Sequence, residues 1–190
     1  MNKIILASGS PRRKQLLQWA EVSVEVMVSN TDESYPEDLS PEEITIHIAV
    51  NKALAVQKKL PSIYDAYTII SADTIVVLEN KIIGKPADRE EAIKILSALS
   101  GKTHEVITGV CLLSSSQKKV FAEKTEVTFH KITPAQIEYY TDTFQPYDKA
   151  GAYAIQEWIG VVGVKSIRGD FYNVMGLPVS RVVRELGIGN

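Results

Sequence analysis

Short apolar runs alternate along the chain with amphipathic stretches, and the two periodicities separate strands from helices. Ile4-Ile5-Leu6 leads through Ala7-Ser8-Gly9-Ser10 into a basic segment opening at Pro11, which predicts a strand, a tight turn and a helix. Ser23–Val28, Thr68–Ala72, Thr74–Leu78, Glu105–Leu113, Val120–Phe129 and Ile159–Ile167 read as further strands. Helix starts are marked by their caps. Ser40-Pro41-Glu42-Glu43 is a capping box with proline at the first helical position, opening a helix to about Leu60. Asp88 with Glu91 opens another, whose Ala92, Ile95, Leu96 and Leu99 form an apolar stripe ending at Gly101. Thr133-Pro134-Ala135-Gln136 opens a third, and Pro178 starts a last one with Val179, Val182, Val183 and Leu186 facing inward. Glu79-Asn80-Lys81 and Ser114–Lys118 read as hairpin loops, so part of the sheet is antiparallel. A strand-helix opening followed by hairpins predicts an α/β fold with a mixed β-sheet flanked by helices. No repeat or low-complexity linker divides the chain, so one domain is expected over residues 1–190.

Composition narrows the classes. With 190 residues, 45% of them hydrophobic, the chain can bury a sizeable core. A formal net charge of −2 provides no global positive field toward nucleic acid or anionic membrane, so any anion site must be local. Cys111, the one cysteine, lies in the apolar run Val110-Cys111-Leu112-Leu113; this excludes an intramolecular disulfide and favours a buried thiol in a reducing compartment. No signal segment or membrane-length apolar run is seen, so a soluble cytoplasmic protein is expected.

Several segments could carry chemistry. Ser8 and Ser10 offer hydroxyls beside Gly9, the following helix start offers N–H groups, and Arg12 and Arg13 offer guanidinium forks suited to phosphate. The same pattern also suits a strand and helix whose arginines are merely solvated. Asp73 interrupts the otherwise apolar run Thr68–Val77, where an ionised carboxylate needs a partner, a hydrogen bond or a metal; it is a candidate base or ligand, or else a turn cap. Lys52 shares a helix row with Ile48 and Val56, pointing somewhere particular or snorkelling, and Lys85 sits in a bend between Gly84 and Pro86. Asp32-Glu33 could ligate a hard cation or be solvated; Mg²⁺ needs only one or two carboxylates with substrate phosphates, so Glu33 and Asp73 are compatible with a metal recruited with a phosphate chain. His47, His104 and His130 lack zinc-ligand spacing. Gln156 could read a base edge with its paired donor and acceptor.

Together these segments resemble the Maf family of nucleoside triphosphate pyrophosphatases, from Ile4 to the final helix. The resemblance rests on Ser8-Gly9-Ser10-Pro11-Arg12-Arg13, Asp32-Glu33, Asn51-Lys52-Ala53, Ser71-Ala72-Asp73-Thr74, Gly84-Lys85-Pro86, Ser100-Gly101 with His104 and Thr108-Gly109, Asp148 to Tyr153 with Gln156, and Asn173-Val174-Met175-Gly176-Leu177-Pro178. It implies an elongated mixed sheet with a central cleft, shared with inosine-triphosphatase-like enzymes, and hydrolysis of a nucleotide between its α- and β-phosphates. Arg12, Thr74 and Gln156 resemble the branch that prefers dTTP and UTP. On that resemblance Ser8, Ser10, Arg12 and Arg13 would bind the triphosphate, and Lys52 and Lys85 would neutralise the leaving pyrophosphate. Asp73 would accept the proton of the attacking water, and Glu33 with Asp73 would hold Mg²⁺ or Mn²⁺. Whether Asp73 is ligand or base stays open at this point. Modified pyrimidine nucleotides are alternative substrates, and a regulatory nucleotide-binding protein of septum formation or growth arrest, without turnover, is the alternative class. The resemblance is compatible with a homodimer, although no distinctive self-association surface is legible; Trp158 beside Ile159 suits an interface or the core.

Overall fold

The computed structural model describes residues 3–60 and 66–188. In chain order the elements are β1 (Lys3–Leu6), α1 (Pro11–Trp19), β2 (Glu25–Val26), α2 (Pro41–Gln57), β3 (Tyr67–Leu78), β4 (Lys81–Ile83), α3 (Arg89–Leu99), β5 (Thr103–Ser114), β6 (Lys118–Phe129), α4 (Pro134–Phe144), α5 (Trp158–Gly163), β7 (Val164–Arg168), α6 (Phe171–Val174) and α7 (Val179–Leu186). A 3-10 turn at Ala150–Ala152 precedes α5. The seven strands form one sheet in the order β2-β1-β3-β5-β6-β7, with β4 paired to β3. Because β1 runs parallel to β2 and β3 while β3–β4 and β6–β7 are antiparallel, the sheet is mixed, and helices flank it. No helix among the described residues is long and apolar enough to cross a membrane.

The capping predictions hold in detail. Ser40 and Thr133 each form a full capping box, and Asp88 accepts the Glu91 N–H at 2.9 Å. Glu79 and Asn80 both take positive φ, the backbone of a two-residue hairpin turn that matches strand twist. Three strand expectations are corrected. The second strand is confined to Glu25–Val26, because β1, its partner in the sheet, ends at Leu6. The two segments either side of Asp73 are one continuous strand, since the carboxylate that was expected to interrupt it is paired with Lys52. Ile159–Ile167 divides into α5 and β7: the N–H groups of Gly160 and Val161 both reach the Glu157 carbonyl and start a helical turn. Too short to settle its own period, that apolar run is decided by the contacts of Gly160.

The chain makes two compact units, the first from Met1–Asp73, Thr108–Glu123 and Gly176–Asn190, the second from Thr74–Ile107 and Lys124–Met175. In the first, Ile5 and Ala7, Ile69, and Cys111 and Leu113 pack with Ala49, Ala53 and Val56 of α2. A methyl group added at Gly109 would sit 2.3 Å from the Thr45 carbonyl carbon, so only glycine lets α2 lie this close to β5. Burial pushes the Cys111 thiol up to about 11, consistent with an inert core residue. In the second unit Leu96, Leu99, Phe129, Tyr140 and Ile159 are buried. There Trp158 is half-buried and lies edge-on to the exposed Tyr139.

Candidate active site

The first unit gathers most of the expected charged residues. The turn after β1 brings Ser8 and Ser10 together, with the Ser10 N–H donating to Ser8 Oγ at 3.2 Å. Arg13 falls on the inward stripe of α1 with Leu16 and Leu17. Its guanidinium donates to the carbonyls of Gly176 and Ala72 at 2.8 Å each and to Ser8 Oγ at 3.1 Å. These bonds tie the turn after β1, the middle of β3 and the segment before α7 to one rigid fork. Burial pulls the Arg13 guanidinium below its ordinary value, and the carboxylates of Asp73 and Glu33 oppose that shift. Arg12, next to it, is half-buried. Among the described residues the Ser10 side chain makes no capping bond to α1, in contrast to the caps of α2, α3 and α4.

Lys52 of α2 and Asp73 of β3, which the sequence singled out separately, meet in the structure. The ammonium donates to Asp73 Oδ1 at 2.7 Å and to Glu33 Oε1 at 2.7 Å. Lys52 and Asp73 keep 17% and 14% of their side-chain surface exposed, whereas Glu33 keeps 56%, so the cluster is sheltered but reachable from solvent. Its geometry is set by a bond that sequence reasoning missed: Ser71 Oγ, fully buried, donates to the Ala49 carbonyl at 2.6 Å. That bond joins β3 to α2 two residues before Asp73 and three before Lys52. A hydroxyl inside an apolar strand was the available signal, since a buried hydroxyl needs a partner.

Asp32, beside Glu33, is taken up locally. It accepts the Ser34 N–H and hydroxyl at 2.9 and 2.8 Å, and these bonds hold its carboxyl below the usual range. For a hard cation, the donor set around Lys52 offers two carboxylates sharing one cationic partner. That suits an ion whose remaining ligands come from phosphates and water. No group of three or more His, Cys, Asp or Glu side chains suited to a metal occurs among the described residues.

Thr74, Lys85 and Gln156 belong to the second unit. Thr74 is half-buried on β3, while Lys85 and Gln156 are exposed. This unit also holds a buried aromatic group. His104 Nε2 and the Tyr153 hydroxyl are 2.8 Å apart, and the two rings and Phe129 pack edge to face with centroids 5.0 to 5.4 Å apart. Burial lowers the His104 value to about 4 and raises that of Tyr153, so both are neutral near pH 7.

The family model described as "Maf-like protein" matches residues 3–187. This chain belongs to the Maf family. It is 50% identical over 185 residues to a protein of Bacteroides fragilis named dTTP/UTP pyrophosphatase, covering 97% of this chain and 94% of the relative. Proteins of the same name from Parabacteroides distasonis and Christiangramia forsetii are 48% and 47% identical, again over 97% of this chain and over 94% and 93% of theirs. Among solved structures, the Staphylococcus aureus Ham1 protein aligns at 16% identity with a TM-score of 0.47, covering 67% of this chain and 72% of that one. Within this Maf chain, Ser8, Arg13, Glu33, Lys52 and Asp73 are linked by short contacts or by the electrostatics of the first unit.

Proposed function

We propose that this protein hydrolyses dTTP and UTP to the monophosphate and pyrophosphate. One observation supports this most directly: a sheltered ammonium joins Asp73, midway along an apolar strand, to Glu33, in a chain about half identical to proteins named dTTP/UTP pyrophosphatase. In this reading water attacks the α-phosphorus and its proton passes to Asp73. The bond from that phosphorus to the α–β bridging oxygen breaks, and pyrophosphate leaves with the electron pair. Lys52 and Lys85 offset the charge that develops on it. Arg12, Ser8 and Ser10 bind the phosphate chain, and Arg13 holds their turn in place through its bonds to Ser8, Ala72 and Gly176. Thr74 and Gln156 read the base, an assignment carried by their resemblance to the dTTP/UTP branch.

Glu33 and the substrate phosphates would hold Mg²⁺ or Mn²⁺, with Asp73 as a further ligand only in the alternative in which it is not the proton acceptor; the ion would supply Lewis acidity toward the phosphates. The cytoplasm, where nucleotides are abundant and the single thiol stays reduced, is the compartment this reading requires. A homodimer is part of the same proposal on family resemblance.

The test is pyrophosphate release from dTTP, UTP, CTP, GTP, ATP, 7-methyl-GTP and 5-methyl-UTP with Mg²⁺, Mn²⁺ or neither. The expected result is metal-dependent release, fastest with dTTP and UTP. Tight nucleotide binding with no release under any condition would instead assign the chain to the regulatory class.

A further inference from the structure

We propose that Tyr140 is a positioning residue for base recognition, its single hydroxyl holding the Ala154 backbone N–H on one side of Gln156 and the Glu157 side chain on the other. The proposal rests on the reading that Gln156 contacts the base. Tyr140, on α4, is fully buried, and its ring stacks on Phe144 with centroids 5.0 Å apart, which fixes where the hydroxyl points. That hydroxyl accepts the Ala154 N–H at 3.1 Å and donates to Glu157 Oε2. The residue two before Gln156 and the residue just after it are therefore gripped by one atom.

Every neighbour of Gln156 in this short segment has its own restraint. Tyr153 is bound through its hydroxyl to His104. A methyl group at Gly160 would sit 1.7 Å from the Ile155 carbonyl oxygen, so α5 starts directly against that peptide. The Glu157 N–H reaches the Ala154 carbonyl at 3.0 Å, closing the turn. Glu157 Oε1 lies 3.6 Å from Lys149 Nζ, and that ammonium, only 9% exposed, also holds Asp148 at 2.7 Å. Within this bracket, Ala154 and Ile155 are buried and Glu157 is half-buried, while the Gln156 side chain stands exposed.

An amide that reads a base by donor and acceptor discriminates only if its direction is fixed before binding, because a mobile one can turn to suit a different edge. A phenol hydroxyl offers one donor and an acceptor, and Tyr140 uses both on this segment. A phenylalanine would fill the same space in the core and lose these two bonds.

The test compares kcat and KM for dTTP, UTP and CTP in the wild type, Tyr140→Phe and Gln156→Ala, with a thermal melt of each. Tyr140→Phe is expected to lower the kcat/KM ratio of dTTP over CTP about tenfold, mainly through a higher KM for dTTP, with a fall at least as large in Gln156→Ala. An unchanged ratio in Tyr140→Phe beside a collapsed ratio in Gln156→Ala overturns the positioning role. So does a uniform loss of kcat on all three nucleotides, the mark of a purely structural residue. Unchanged ratios in both variants show that Gln156 does not read the base, and the proposal falls with that reading. Should Tyr140→Phe fail to fold, Glu157→Ala breaks the bracket from its other end and is judged by the same ratio. Glu157→Gln, which keeps an oxygen for the phenol, is expected to retain it.

Discussion

The polar centre around Lys52 and Arg13 in the first unit and the ring cluster around His104 in the second are built in opposite ways. In the first, the polar centre is built from formal charges: Lys52 holds Asp73 and Glu33, and Arg13 spans a turn, the middle of β3 and the segment before the last helix. In the second, His104 and Tyr153 are kept neutral by burial and joined by one hydrogen bond among packed rings. Paired charges retain a field that can respond when a phosphate chain arrives or charge moves during reaction. A neutral network has little field to offer, but it fixes direction at a lower desolvation cost. The pairs of Lys52 are thus suited to moving charge, and the His104–Tyr153 cluster to holding geometry.

The sharpest way to break that contrast is Asp73→Asn, which keeps the shape and a hydrogen bond to Lys52 but removes the proton acceptor. Turnover of dTTP should fall about 10³-fold, the scale of a lost general base, with nucleotide binding retained. Unchanged turnover would show that the first unit's charges are structural. Lys52→Met should follow with a loss of about 10²-fold in kcat, because the ammonium that offsets leaving-group charge is gone and two carboxylates are left side by side.

The neutral region predicts a pH effect on stability rather than on chemistry. His104 has a value of about 4 in the folded protein against an ordinary 6.5, so between these values the unfolded chain takes up a proton that the folded one refuses. Stability contributed by the neutral ring is present near pH 7 and is lost as pH falls through that window, by about 2 kcal/mol at pH 5. Urea unfolding at pH 7 and pH 5 should show this loss in the wild type and a smaller one in His104→Gln; identical losses would place the sensitivity elsewhere. The smallest effect is expected from Ser71→Ala, which removes the bond between β3 and α2 and should cost about 1 kcal/mol in denaturant unfolding. If its kcat falls further than that stability loss accounts for, the bond also aligns Lys52 with Asp73.

What could be read in the sequence follows from the range of the interactions. Caps and the Glu79-Asn80 turn were legible because their donors and acceptors lie within a few residues of one another. Lys52 and Asp73 stood out singly, each as a charge in an apolar context, but their bond crosses 21 positions and no local pattern announces it. Ser71 shows only as a hydroxyl in an apolar strand and Tyr140 as an ordinary core residue until their partners, 22 and 14 to 17 positions away, are in place. The segment after Trp158 was misread for a related reason. Its apolar residues suit strand and helix alike, and the choice rests on how closely Gly160 approaches the Ile155 carbonyl.

The most direct test is hydrolysis of dTTP in ¹⁸O-labelled water, with the label located by mass spectrometry. Water attack at the α-phosphorus predicts label in the monophosphate and none in pyrophosphate. Label in pyrophosphate or orthophosphate, or bound dTTP that is never turned over, would contradict it.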